Sequence, residues 1–282
     1  MKDIVVLYHK DCWDGFGAAW AAWKKFGDKA QYIPVGYEEN LPKGLINKEI
    51  YLVDFCYEDN LMKKIIGNNK KVIVIDHHFS REKFIKSVKG CIYGRNNSGS
   101  ILSWKYFHPN KKVPIFLKHI EDIDLWSFKL KDSYEIMLAV DLKTRDFNSW
   151  SKIAKDLEDK KTKGKYINEG KIILNYTNRI VTDIAKKAVP VLIDGKKAMA
   201  VNGPHFIHSE IGNVLHNNEY PIGLIWRAEG NNIFVSLRSK KGGKTDVSKI
   251  AKKYGGGGHK SASGFGIKNG LGKKLPWRII KQ

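Results

Sequence analysis

Lys71-Val72-Ile73-Val74-Ile75-Asp76-His77-His78 sets four apolar β-branched residues directly before a carboxylate and two imidazoles. An unbroken run of this kind reads as a strand buried on both faces, which belongs to a parallel sheet covered by helices. In open α/β sheets the carboxyl ends of the strands face the ligand crevice, so Asp76, His77 and His78 stand where chemistry is done. Two earlier segments repeat the layout. Ile4-Val-Val-Leu-Tyr-His9 is followed by Asp11, Asp14 and Gly15, and Ile50-Tyr-Leu-Val-Asp54 ends on a carboxylate. Singly, an aspartate after a strand serves as a turn residue or helix cap, and a histidine as an ordinary surface or core residue. Three strand ends that all supply oxygen or imidazole donors point instead to a shared site. Carboxylates and histidines without thiolates suit Mn²⁺ or Mg²⁺ better than structural zinc.

Ile75-Asp76-His77-His78 after a hydrophobic strand, preceded by a His-plus-Asp-Gly loop and a strand ending in Asp54, resembles the DHH phosphoesterase superfamily. The family's first loop usually carries a histidine and then two aspartates separated by one residue. Here Cys12 stands two before Asp14, and the extra carboxylate is Asp11, which is the candidate replacement. The resemblance implies a two-metal phosphodiesterase with ions about 3.5–4 Å apart, Mn²⁺ ahead of Mg²⁺. It implies Asp54 as the bridging carboxylate, with His9, Asp14 or Asp11, and His77 as further ligands. His78 would face the phosphate and Asp76 would orient an imidazole. The last ligand falls in Ile120-Glu-Asp122-Ile-Asp124-Leu-Trp126, where alternate carboxylates in an apolar segment are costly unless paired or bound to metal. Asp122 aligns best by its distance to Trp126, and Asp124 is the fallback.

Ser98-Gly99, within Asn96-Asn-Ser-Gly-Ser-Ile-Leu, looks like a loop entering a helix. From the residues alone it is a serine N-cap. Its likeness to the Ser-Gly element that follows the DHH motif adds a substrate-phosphate role at the helix N-terminus. Farther on, Ser236-Leu-Arg238 and Gly255-Gly256-Gly257-Gly258-His259 resemble the DHH-associated C-terminal domain. By that resemblance Arg238, Gly256, Gly257, Gly258 and His259 hold substrate phosphate or nucleotide.

The 282 residues are enough for two domains, and 42% apolar with 11% aromatic content is that of a folded chain. Fifty Lys plus Arg against 29 Asp plus Glu give a net charge of +21, which favours an anionic partner such as nucleic acid. The lysines are scattered along the chain, and a lysine-rich proteome accounts for the charge equally well. Cys12, Cys56 and Cys91 form no C-x-x-C pair and are odd in number, so neither a disulfide framework nor a zinc knuckle is indicated. A reducing cytoplasm fits. No apolar run reaches the length of a membrane span, and the start of the chain lacks the layout of a signal peptide.

The expected architecture is α/β: a doubly wound, mostly parallel sheet over 1–145 as the catalytic domain, then a smaller α/β domain over 190–267 as the substrate-binding domain. Between them, 146–189 reads as a linker, polar and lysine-rich from about Thr144 to Lys165 and helical from about Tyr166. Residues 268–282 read as a basic tail. The function implied is Mn²⁺-dependent hydrolysis of short oligonucleotides to mononucleotides, in the manner of the nano-RNase branch. Alternatives are the same chemistry on a cyclic or linear dinucleotide, on 3′-phosphoadenosine 5′-phosphate or on longer single strands. A non-catalytic nucleotide or nucleic-acid binding protein is the alternative from another class.

Overall fold

The structure, a computed structural model, describes residues 2–36 and 40–280, and the chain divides into two units, Met1–Ile173 and Leu174–Gln282. The first unit contains β1 (Ile4–His9), α1 (Trp13–Phe26), β2 (Ala30–Val35), β3 (Glu49–Val53), α2 (Asp59–Gly67), β4 (Lys71–Asp76), α3 (Glu82–Ser87) and β5 (Ile92–Tyr93). The helices α4 (Gly99–Phe107), α5 (Ile115–Asp124), α6 (Ser133–Asp141) and α7 (Phe147–Glu158) follow. Helix α8 (Lys160–Ala185) runs across the division.

All five strands are parallel, in the order β2-β1-β3-β4-β5. Alternation within each strand covers both faces. Val5, Leu7, Ile50, Leu52 and Val74 pack on Met62 and Ile65 of α2 and Ile85 of α3. Val6, Tyr51, Val53, Ile73 and Ile75 pack on Ala18 and Ala22 of α1 and Leu102 and Phe107 of α4. That is why the run before Asp76 has no polar side. Pro34 falls in β2 at the sheet edge, where a missing amide breaks no ladder.

The polar segment read as a linker is partly a helix of the first unit. Asp146 caps α7 by accepting from the amides of Asn148 and Ser149. Trp150, Ile153, Ala154 and Leu157, at spacings of three and four, enter the core shared with α1, α5 and α6. Lysine-rich composition hid this four-residue stripe. Helix α8 likewise starts at Lys160, ahead of the expected Tyr166.

The second unit holds β6 (Val189–Ile193), β7 (Lys196–Asn202), α9 (His208–Leu215), β8 (Ile222–Glu229), β9 (Asn232–Arg238), α10 (Val247–Lys253), β10 (Gly257–His259), β11 (Ala262–Ile267) and β12 (Trp277–Ile279). Its sheet runs β10-β11-β9-β8-β7-β6-β12 and is antiparallel except for the β7–β8 pair, which α9 connects. Asp194 and Gly195, at φ 49° and 74°, form the two-residue turn of the β6–β7 hairpin. One expectation changes: the stretch set apart as a basic tail supplies β12, which pairs with β6.

In the first unit a buried imidazole ties three helices. Lys163 of α8 donates to Nε2 of His119 in α5 (3.1 Å), Nδ1–H of His119 donates to Ser133 Oγ at the start of α6 (2.8 Å), and Ser133 donates to the Leu130 carbonyl (3.1 Å). Burial first, and the Lys163 charge second, lower the His119 pKa to about 4. The folded state therefore resists a proton that the unfolded chain accepts near pH 6.5, so this contribution to stability is complete above about pH 6.5 and declines as pH falls towards 4. Thermal melts should show wild type losing more Tm than His119→Gln between pH 7.5 and 5.0. Equal losses would remove His119 as the titrating tie.

Candidate metal-binding active site

Strand order reverses around β1, since β2 lies on one side of it and β3 on the other, and a crevice at such a switch point is the usual ligand site of open α/β sheets. Tyr8 is in register with Val53, and Val53 with Ile75, so His9, Asp54 and Asp76 form the next row across three strand ends. Asp54 turns out of β3 at φ 54°, in the left-handed region, while its amide still donates to the Ile75 carbonyl (2.8 Å). Its carboxylate is 1% exposed. His77 Nε2 lies 3.3 Å from Asp54 Oδ1, 3.5 Å from Asp124 Oδ2 and 3.9 Å from Asp14 Oδ2, and His9 Nδ1 lies 3.5 Å from Asp54 Oδ2. Three donor groups result, each within 4.8 Å internally: Asp54 with Asp76, His77 and His78; His9 with Cys12 and Asp54; Asp14 with His77 and Asp124.

The surroundings fix these side chains. Asp14 accepts from the amides of Gly99 (2.6 Å) and Ser100 (3.0 Å) at the start of α4. A Cβ on Gly99 would stand 2.6 Å from the Asp54 Cβ and 2.7 Å from Oδ1, so only glycine lets the helix come this near. Asp76 Oδ1 accepts from the amides of His77 (2.7 Å) and His78 (3.2 Å) and from His78 Nδ1 (2.7 Å), which aims Nε2 of His78 outward. Arg81, 6% exposed, donates to Glu58 (3.0 Å), the Tyr57 carbonyl (2.5 Å) and Asp59 (2.6 Å), fastening the loop after Asp54 to the turn after His78.

Several expected residues sit differently. The α4 amides expected to receive a phosphate at Ser98 and Gly99 are engaged within the protein: those of Gly99 and Ser100 by Asp14, and that of Ser98 by Glu121 Oε2 (2.9 Å). Ser98 keeps its cap role, accepting from the Ile101 amide. Asp122, preferred as the last ligand, accepts from the amides of Lys129 (2.8 Å) and Leu130 (3.1 Å) and shapes its own loop, so the fallback, Asp124, is the carboxylate beside His77. Asp11 is exposed and stands outside all three donor groups, whereas Cys12 is inside one. Asp11 itself turns the loop, at φ 54° in the left-handed region. Arg81 and Glu121 were not singled out from sequence, and a lone Arg or Glu in a polar loop gives no signal there.

Burial, and then the Asp14 charge, push the Asp54 carboxyl well above the usual carboxylate range. The same two causes raise Asp124 to about 7, with His77 and His78 pulling the other way. Burial, followed by Asp54, Asp14 and Asp124, raises the Cys12 thiol. For His78 burial acts downward, but the hydrogen bond and charge of Asp76 outweigh it and raise the pKa to about 9. Acids crowded out of water in this way repel one another, and a cation among them removes the penalty. Asp54 Oδ1 and Asp76 Oδ2 are buried with no hydrogen-bond partner among the described residues. The donor set therefore fits divalent cations.

In the second unit, Arg238 at the end of β9 is part-buried, with its Cγ only 2.5 Å from where a Cβ on Gly212 would be. It donates to Ser209 Oγ (2.9 Å) and the Leu237 carbonyl (3.0 Å), leaving guanidinium N–H groups beyond these two bonds. The glycine run is a short strand rather than an open loop: Gly257, Gly258 and His259 pair with β11 at the sheet edge, and the Gly256 amide donates to the Ala251 carbonyl. A Cβ on Gly256 would meet the Gly264 carbonyl at 2.1 Å. Among the described residues no helix is long and apolar enough to cross a membrane.

Residues 207–276 match the DHHA1 domain. The chain is 32% identical over 302 residues to uncharacterized protein R106 of Acanthamoeba polyphaga mimivirus, covering 98% of this chain and 70% of that one. Among solved structures it is similar to the DHH domain of PF0399, described as a member of the s1p family of ribosomal proteins, with TM-score 0.62, 14% identity and coverage of 96% and 84%. It is also similar to the pGpG-specific phosphodiesterase PggH of Vibrio cholerae, with TM-score 0.53, 15% identity and coverage of 95% and 94%. At such identities these two likenesses speak to the fold. With the DHH strand ends, the parallel sheet that carries them and a DHHA1 domain all in one chain, the protein belongs to the DHH phosphoesterase superfamily, whose members are metal-dependent.

Proposed function

We propose that this protein is a metal-dependent phosphodiesterase that hydrolyses short oligonucleotides to mononucleotides, Mn²⁺ being the working cation and Mg²⁺ the substitute. The observation that carries the reading is the buried Asp54 carboxylate, with imidazoles from His9 and His77 3.3–3.5 Å away and Asp14 and Asp124 within reach of the same His77. Bound divalent cations would supply charge neutralisation of the phosphoryl oxygens and an acidified water. Asp54 would stand between the two positions, His9 on one side and Asp14, His77 and Asp124 on the other. His78, kept protonated by Asp76, would donate from Nε2 to a phosphate oxygen as negative charge builds. Gly99 and Asp76 position these groups without touching substrate.

A cleft of about 440 Å³ opens along α4 and α5, with Lys105, Lys118 and Lys129 in its lining together with Glu121 and Asp122. Three cations against two carboxylates favour an anionic ligand there. The pGpG named for PggH is a linear dinucleotide, which supports a short oligonucleotide over a long strand. Substrate binding in the second unit is assigned to Arg238, Gly256, Gly257, Gly258 and His259. Asp122 is assigned to shaping the loop that ends the cleft. The protein would work in the cytoplasm.

Steady-state assays with linear dinucleotides, short RNA and short DNA should show release of mononucleotides with Mn²⁺ and none with chelator. Asp54→Ala and His77→Ala should lose at least about 100-fold. No turnover of any of these substrates by protein carrying bound ions would instead favour a nucleotide-binding role. A separate expectation concerns the supports: Gly99→Ala and Asp76→Asn should stay folded by circular dichroism yet bind Mn²⁺ about 10- to 100-fold more weakly. Unchanged affinity measured by calorimetry would remove both from the positioning role.

A further inference from the structure

We propose that Cys12 is a metal ligand through its sulfur, so that the two cation positions of this site differ in chemical character. The inference rests on the metal-dependent reading above and deepens it. A nitrogen of His9, the Cys12 sulfur and an oxygen of Asp54 lie within 4.8 Å of one another, close enough to share one ion at bond lengths of about 2.0–2.3 Å. A second observation points to a ligand at this carboxylate: Asp54 is 1% exposed, its Oδ2 lies 3.5 Å from His9 Nδ1, and its Oδ1, on the His77 side, is buried with no hydrogen-bond partner among the described residues. The backbone is built to deliver the sulfur. Asp11 takes the left-handed turn, Cys12 follows at the N-cap of α1 with no side-chain cap bond, and the Cys12 carbonyl accepts from the Phe16 amide. Gly15 seals the loop, since a Cβ there would meet the His9 carbonyl at 2.1 Å.

The other group, Asp14 with His77 and Asp124, offers oxygen and nitrogen only. Thiolate donors select ions of the Zn²⁺ and Co²⁺ kind, whereas carboxylate and imidazole sets accept Mn²⁺. The position at Cys12 therefore takes Zn²⁺ or Co²⁺ in preference to Mn²⁺, and the position at Asp124 remains a Mn²⁺ site. On binding, the sulfur gives its proton to water and its electron pair to the ion, with no change of oxidation state.

The test loads the full-length protein with Co²⁺, counts bound ions by mass spectrometry and records the near-ultraviolet spectrum. A sulfur-to-cobalt charge-transfer band is expected in wild type and in Cys91→Ser, and is expected to vanish in Cys12→Ser. Zn²⁺ should displace bound Mn²⁺ from wild type at concentrations at least about tenfold lower than from Cys12→Asp, a change of the size seen even for residues one step removed from a metal. Should Cys12→Ser fail to fold, alkylation of wild-type Cys12 read by mass spectrometry serves in its place, and added Co²⁺ should protect it. Bound Co²⁺ without the band, a band that survives Cys12→Ser, or unprotected Cys12 overturns the thiolate and leaves the phosphodiesterase reading standing. No bound ion of any kind overturns both.

Discussion

A carboxylate held out of water among other carboxylates governs this protein. Asp54 is almost wholly buried where β3 ends, with Asp14 raising its proton affinity further. Removing a charge from solvent is tolerable only where partners or cations compensate. The parallel sheet delivers those partners by register alone, since Tyr8, Val53 and Ile75 lie in one row and the residues after them are His9, Asp54 and Asp76.

The helices hold that row without being part of it. Helix α4 approaches Asp54 so nearly that Gly99 can carry no side chain, and its first free amides go to Asp14. Helix α5 presents two aspartates with separate duties: Asp124 faces His77, and Asp122 gathers the backbone of the following loop. In that loop Trp126 and Phe128, both at positive φ, stand edge to face and 42% and 47% exposed. A loop that keeps two aromatic residues in a strained backbone just after Asp124 owes its shape to Asp122.

Much of the first unit was legible because β-branched runs covered on both faces have no polar positions, and the short, wholly β-branched run Val72 to Ile75 favours a strand over a helix. The same logic located His9, Asp54, Asp76, His77 and His78 at strand ends. Spacing could not choose between Asp122 and Asp124, because residues two apart on a helix point to nearly opposite sides and the sheet-facing side is set by packing. Nor could it show that Asp11, the replacement expected for the missing loop carboxylate, stands exposed and outside the donor groups. Ser98 and Gly99 looked like an anion site for the same reason that α4 does bind an anion, but the anion is Asp14, 85 residues away. Helix α7 was missed because its charged face dominates the composition while its buried face needs only four residues.

Asp14 joins scaffold and chemistry in a single side chain. Its two oxygens satisfy two buried amides while also facing His77. Leaving such amides unsatisfied costs about 1–3 kcal/mol each. The position therefore has little freedom to drift: a replacement that spared the helix would remove a carboxylate from beside His77, and one that kept a carboxylate at another reach would unseat the helix. Divergent copies of this chain should accordingly lose His9 or His78 long before they alter Asp14, because the fold tolerates the loss of a side chain at the rim of the cluster more readily than the loss of one that also holds a helix.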